Sequence, residues 1–196
     1  SSNNDGSYVT VTKNNVTDTL YNIEVIEFSN GTINTDNIEN PQSYSLYSSN
    51  IASPGKAING NSIVTDEITI NSNNQKITQL EVVLDQINHT WVGDLKITLT
   101  NVVTGTSVIL MNLAGSGKWG SSGNNFINTV LTDSATISID SITENESPYS
   151  KSYYPHDNLS RTYLNTFNGE NINSVWRLTI EDTFATHDNG NLVKWS

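Results

Sequence analysis

Apolar and polar residues alternate with a period of two along most of this 196-residue chain. Tyr8–Thr12 (YVTVT), Ile23–Phe28 (IEVIEF), Asp66–Ile70 (DEITI), Leu95–Leu99 (LKITL), Ala135–Ile139 (ATISI) and Trp176–Ile180 (WRLTI) each read as a strand with one buried face. Val102–Leu110 carries a Thr104-Gly105 turn ahead of an apolar run. Ile77–Ile87 has the composition of a helix, but Thr78, Val82 and Val83 are β-branched and place it in a strand. The separators are turn chemistry. Asn30-Gly31, Asn59-Gly60, Asn168-Gly169 and Asn189-Gly190 each put a residue tolerant of left-handed backbone before a glycine. Many short strands parted by turns predict an all-β sandwich or jelly roll of mostly antiparallel strands.

Composition supports that picture and removes several functions. The chain holds 29 Asn, 24 Ser and 23 Thr, residues that favour turns and sheet surfaces over helix interiors. Such a bias also fits disorder, and the alternating apolar runs argue against it. The formal charge of −11 repels phosphate backbones and excludes nucleic acid as a partner. With no cysteine there is no disulfide framework, thiolate metal site or cysteine nucleophile. No apolar run approaches the roughly 18 residues of a spanning helix, so membrane insertion is not expected. The N-terminus, SSNNDGS, carries no signal peptide, and the chain reads as a mature or excised segment. A boundary is expected near Asn37–Gln42, where a proline interrupts a stretch without periodicity. It separates residues 1–40, too short for a core of their own, from residues 41–196.

The most specific string is His89–Leu99, HTWVGDLKITL. Val92-Gly93 makes a tight turn, and Leu95, Ile97 and Leu99 form one buried face. Thr104-Gly105 follows, then Ser107–Leu113, Phe126–Ile139, Ser152–Gly169 (SYYPHDNLSRTYLNTFNG) and Val175–Trp195 (VWRLTIEDTFATHDNGNLVKW). In this order they resemble the P, or Homo B, domain of kexin- and furin-like proprotein convertases and of bacterial subtilisin-like proteases, over about residues 43–196. Three departures stand out. Val175 replaces the glycine usual before the Trp-x-Leu strand, the hairpin Asn101–Gly105 is one residue looser, and the segment from Ile139 to Tyr154 is longer. The resemblance implies a galactose-binding-domain-like jelly-roll β-sandwich of about eight strands. It also implies an accessory role, packing on and stabilising a subtilisin-fold catalytic domain, with no catalytic residues of its own.

Val16–Ile33 (VTDTLYNIEVIEFSNGTI) resembles the segment that closes the calcium-binding β-rolls of secreted bacterial RTX proteins, although the nonapeptide repeats themselves are absent. Read from its residues alone, it is an amphipathic hairpin burying Leu20, Ile23, Val25 and Phe28. The two resemblances together imply a large secreted bacterial protein, exported by a type I system.

Candidate chemistry is sparse. His89, His156 and His187 coexist with many serines, but no G-T-S-x-A/S-P context or strand-to-helix elbow supports a serine nucleophile. The histidines are scattered, with no pair at i, i+4 to hold zinc, and His89 is expected to bond a backbone group at the strand start. Calcium needs six to eight oxygen ligands. Asp85, Asp94, Asp133, Asp182 and Asp188 are the candidates, each read as lying at a strand end beside a turn. The competing role for each is to cap its turn through backbone hydrogen bonds, and Asp94 in particular could accept them from the Val92-Gly93 turn. The charge of −11 favours a bound cation. Trp119 and Trp91 are the candidates for stacking on a carbohydrate, while Trp176 and Trp195 are expected in the core. Two functions remain: an accessory P domain acting on a neighbouring catalytic domain with calcium, and a carbohydrate- or protein-binding adhesion module of an RTX-type surface or secreted protein.

Overall fold

A computed structural model describes residues 8–13, 16–21, 25–28, 31–34, 46–72, 75–115, 119–184 and 188–196. They divide into two units, Ser1–Leu46 and Tyr47–Ser196. The boundary expected within Asn37–Gln42 lies outside the described residues, as does His187. No helix among the described residues is long and apolar enough to cross a membrane.

The first unit holds two antiparallel hairpins, β1 (Tyr8–Lys13) with β2 (Val16–Tyr21) and β3 (Val25–Phe28) with β4 (Gly31–Asn34). The burial expected of Leu20, Ile23, Val25 and Phe28 lies outside what is described.

The second unit is a two-sheet sandwich. Its strands are β5 (Lys56–Asn59), β6 (Ile63–Ile70), β7 (Glu81–His89), β8 (Leu95–Asn101), β9 (Ser107–Asn112), β10 (Phe126–Thr132), β11 (Ser152–Tyr153), β12 (His156–Asp157), β13 (Ser160–Arg161), β14 (Ser174–Asp182) and β15 (Asn189–Lys194). One sheet runs β11-β10-β7-β15-β5 and the other β13-β12-β9-β8-β14-β6. The pairings are antiparallel except β10 with β11 and β9 with β12. Eight longer strands make the jelly roll; of the three two-residue strands, β11 extends the edge of the first sheet and β12 and β13 that of the second.

The core follows the two-residue period. In β14 every second residue is buried over the whole strand, placing Trp176, Leu178 and Ile180 inward. Opposite them on β8, Leu99 pairs with Leu178 and Ile97 with Ile180. β7 adds Val82, Leu84 and Ile87 from the facing sheet. Each such aliphatic side chain contributes about 1.5–3 kcal/mol on leaving water. Trp176 and Trp195 are buried as expected. Trp195 Nε1 donates to Asp66 Oδ2 at 2.8 Å, and Lys56 Nζ closes on Asp66 Oδ1 at 2.7 Å, tying the end of the chain to β5 and β6.

Two expectations fail. Ala135–Ile139 is not a strand, because β10 ends at Thr132 and the chain turns. Ser138 Oγ accepts from Asp140 N and caps a 3-10 turn at Ile139–Ser141. Ile139 is buried by that turn while Ile137 stays exposed, so the two isoleucines share a parity but not a face. Asn189-Gly190 is not a turn either but the start of β15. Glycine is needed there because a Cβ would lie 1.9 Å from the Asn88 carbonyl oxygen of the neighbouring strand.

Candidate functional site

Three of the five candidate carboxylates meet at one end of the sandwich. β7 ends at His89, and the chain passes through Thr90, Trp91 and a 3-10 turn, Val92–Asp94, into β8. β14 ends beside it at Asp182, and β15 begins just after Asp188.

His89 is fully enclosed. Its Nδ1 bonds the Trp91 carbonyl at 2.9 Å, the backbone contact expected of it. Its Nε2 lies 3.2 Å from Asp182 Oδ2, with neither side chain exposed. Asp182 Oδ1 accepts from Phe184 N at 3.0 Å, so both of its oxygens have partners. Asp188 Oδ1 accepts from the Thr90 hydroxyl at 2.7 Å.

Asp94 differs from both. It is 4% exposed, and its carbonyl accepts from Thr183 N at 2.9 Å and Thr183 Oγ1 at 2.8 Å. No donor among the described residues reaches its carboxylate. The Asp94 pKa is accordingly pushed up to about 6, first by burial and then by the negative charges of Asp182 and Asp188, with His89 opposing. Ionising this group without a partner is unfavourable.

The turn that carries Asp94 is clamped to the loop that carries Trp119. Gly93 N donates to Ser121 O at 2.9 Å, and Trp91 Nε1 donates to Trp119 O at 3.1 Å. A Cβ on Gly93 would fall 2.5 Å from Ser121 N and 2.7 Å from Trp119 O, so only glycine allows the approach. Trp119 is 50% exposed and Phe184 38% exposed. Their rings meet edge to face, with centroids 5.0 Å apart and planes at 89°. Trp91 lies beneath, partly buried, with its indole N–H committed to the Trp119 carbonyl.

The other two candidates stand elsewhere. Asp85 lies inside β7 rather than at its end; Ser196 Oγ donates to it at 2.9 Å and Lys194 Nζ is 3.5 Å away. Asp133 accepts from Leu164 N at 2.9 Å and Asn165 N at 2.7 Å. Among the described residues, no three His, Asp or Glu side chains are grouped closely enough to hold one metal ion between them. Phe184 and Thr183 were not legible as site residues. The one available signal was an apolar residue just past the end of a strand, outside its alternation.

Comparison with known proteins adds a family. The proprotein convertase P-domain family matches over residues 77–196. No curated protein matches the chain. Among solved structures, that of the Aeromonas sobria serine protease in complex with its chaperone is similar at 14% identity with a TM-score of 0.38. That similarity takes in 96% of this chain and 35% of the other, so the chain spans about a third of its length.

Proposed function

The chain belongs to the proprotein convertase P-domain family, a non-catalytic accessory domain of subtilisin-like proteases, and from that membership we propose that it stabilises and positions the catalytic domain of a secreted serine endopeptidase in the same polypeptide. The match over residues 77–196 carries this reading, because that span builds nine of the eleven strands of the sandwich, β7 to β15. The experiment is to express the parent polypeptide with and without residues 47–196. The domain-deleted protein is expected to lose most of its yield of active peptidase. Equal yield, activity and thermal resistance in both would overturn the positioning role.

Calcium belongs to the same reading, as a stabiliser of the domain. The burial of Asp94 beside Asp182 and Asp188 supports it, as does a net charge of −11. Export by a type I system is supported by the likeness of Val16–Ile33 to the close of a β-roll. A second reading, a carbohydrate- or protein-binding adhesion module, is favoured by one observation, the half-exposed Trp119. Retardation of the chain on polysaccharide gels, abolished in Trp119→Ala, would support that reading over the first.

A further inference from the structure

We propose that Asn59-Gly60, in the turn that leads from β5 to β6, is a self-modification site. There the Asn59 side chain closes on the Gly60 backbone nitrogen, loses ammonia and is converted by water to aspartate and isoaspartate.

The sequence holds four Asn-Gly pairs, at Asn30, Asn59, Asn168 and Asn189. Each joins a side-chain amide to a backbone nitrogen that no Cβ shields. The reaction needs that nitrogen free to give up its proton, and room for the asparagine to swing onto it. Asn30 lies outside the described residues. Of the other three pairs, the fold protects two. Gly169 N donates to Ile77 O at 2.8 Å, so its proton is engaged although Asn168 is exposed. Gly190 lies inside β15, paired with His89 on one side and Ile58 on the other, and the Asn88 carbonyl crowds it. Gly60 is different. It follows the last residue of β5, and nothing among the described residues accepts from its N–H. Asn59 is exposed, and its side-chain amide has no hydrogen bond among the described residues.

Ser62 favours the reaction further. Its hydroxyl accepts from Asn59 N at 3.1 Å and donates to Asn59 O. When Gly60 N loses its proton, charge spreads onto that same carbonyl oxygen, and a hydroxyl already donating to it stabilises the anion. The nitrogen then attacks Asn59 Cγ. The Cγ–Nδ2 bond breaks, and Nδ2 takes up the proton and leaves as ammonia. A five-membered cyclic imide remains. Water opens it at Cγ to give aspartate, or at the backbone carbonyl carbon to give isoaspartate. The sum is water in and ammonia out, with no oxidant or cofactor.

Either product adds one negative charge to a chain already at −11. Isoaspartate also lengthens the backbone by one carbon where Asn59 pairs with Asn189 of β15. That is the strand whose Lys56 holds Asp66, so the modification loosens a short edge strand that ties the two sheets together.

The test incubates the folded chain in mildly alkaline buffer and follows each asparagine by peptide mapping, where modification reads as a gain of about one dalton. Asn59 should react at least tenfold faster than Asn168 and Asn189. In denaturant the three should react at similar rates, which assigns the difference to the fold. Gly60 has no positive φ, so Gly60→Ala folds normally, and its added Cβ should slow Asn59 at least tenfold while leaving Asn168 unchanged. Ser62→Ala should slow Asn59 several-fold, whereas a hydroxyl that merely stiffened the turn would give a faster reaction on removal. Asn168 or Asn189 leading in the folded chain, or equal rates at all three, would overturn the site. So would an Asn59 that stays intact when folded and reacts only in denaturant. A faster Ser62→Ala would overturn the part given to Ser62 and leave the site standing.

Discussion

Asp94 and Asp133 both adjoin the end of an apolar strand, β8 in one sheet and β10 in the other, yet their surroundings differ. Asp133 follows β10 and receives the Leu164 and Asn165 amides, the first N–H groups of a 3-10 turn at Leu164–Phe167. Its carbonyl receives Arg161 Nη2 at 2.6 Å, and that guanidinium lies over the rings of Tyr154 and Tyr163. Glu170 is as well supplied, accepting from Asn101 Nδ2 at 2.7 Å and from the hydroxyls of Thr104 and Thr106. These acids organise loops. Asp94 is more deeply buried than a surface acid should be, and none of the described amides or hydroxyls donates to its carboxylate. Position at a strand end does not by itself set an acid's surroundings; the donors that the fold brings to it do.

The comparison can be broken most forcefully at His89. His89→Ala removes the partner of Asp182 Oδ2 in a fully buried pair and should cost about 3–5 kcal/mol in urea unfolding. A cost below about 1 kcal/mol would mean that Asp182 does not depend on its imidazole partner. Next in size is Asp133→Ala, which orphans two amides and should cost about 2 kcal/mol, by the same amount with calcium or EDTA. Calcium dependence at Asp133 would blur the two classes of acid.

Asp94→Asn works in the other direction. The folded pKa of Asp94, about 6, lies above its ordinary value of 3.8. A raised acid contributes stability below its unfolded pKa and loses that contribution as pH rises through its folded pKa. Metal-free wild type should therefore lose melting temperature relative to Asp94→Asn between about pH 4 and pH 7. Parallel melting curves across that window would show that Asp94 is not held above its ordinary pKa. The smallest effect is expected at Asp85, whose ion pair with Lys194 is long and partly exposed. Asp85→Asn should change stability by less than about 0.5 kcal/mol.

The fold was legible because one physical signal dominated it. Alternation in LKITL and WRLTI placed Leu95, Ile97, Leu99, Trp176, Leu178 and Ile180 in the core, where they lie. It misled at Ala135–Ile139, where a serine cap turned the chain before a strand could form. It also misled at Asn189-Gly190, where glycine serves a close crossing of strands instead of a turn. Of the site, the sequence supplied the acids but not their grouping. Asp182 and Asp188 flank one loop, but Asp94 lies about ninety residues before them, and its meeting with them depends on β7, β8, β14 and β15 sharing one end of the sandwich. The amides that satisfy Asp133 come from about thirty residues away, and no local pattern announces them.

Thermal unfolding of the chain in excess EDTA and again in saturating calcium, beside Asp94→Asn, tests the cation reading most directly. A ligand at a hundred times its Kd adds about 2.7 kcal/mol to the folded state. For a domain of this size that is a rise of about 5–10 °C in Tm. The wild type should show that rise, and Asp94→Asn should lose most of it. A wild-type Tm that does not move over millimolar calcium would contradict the account.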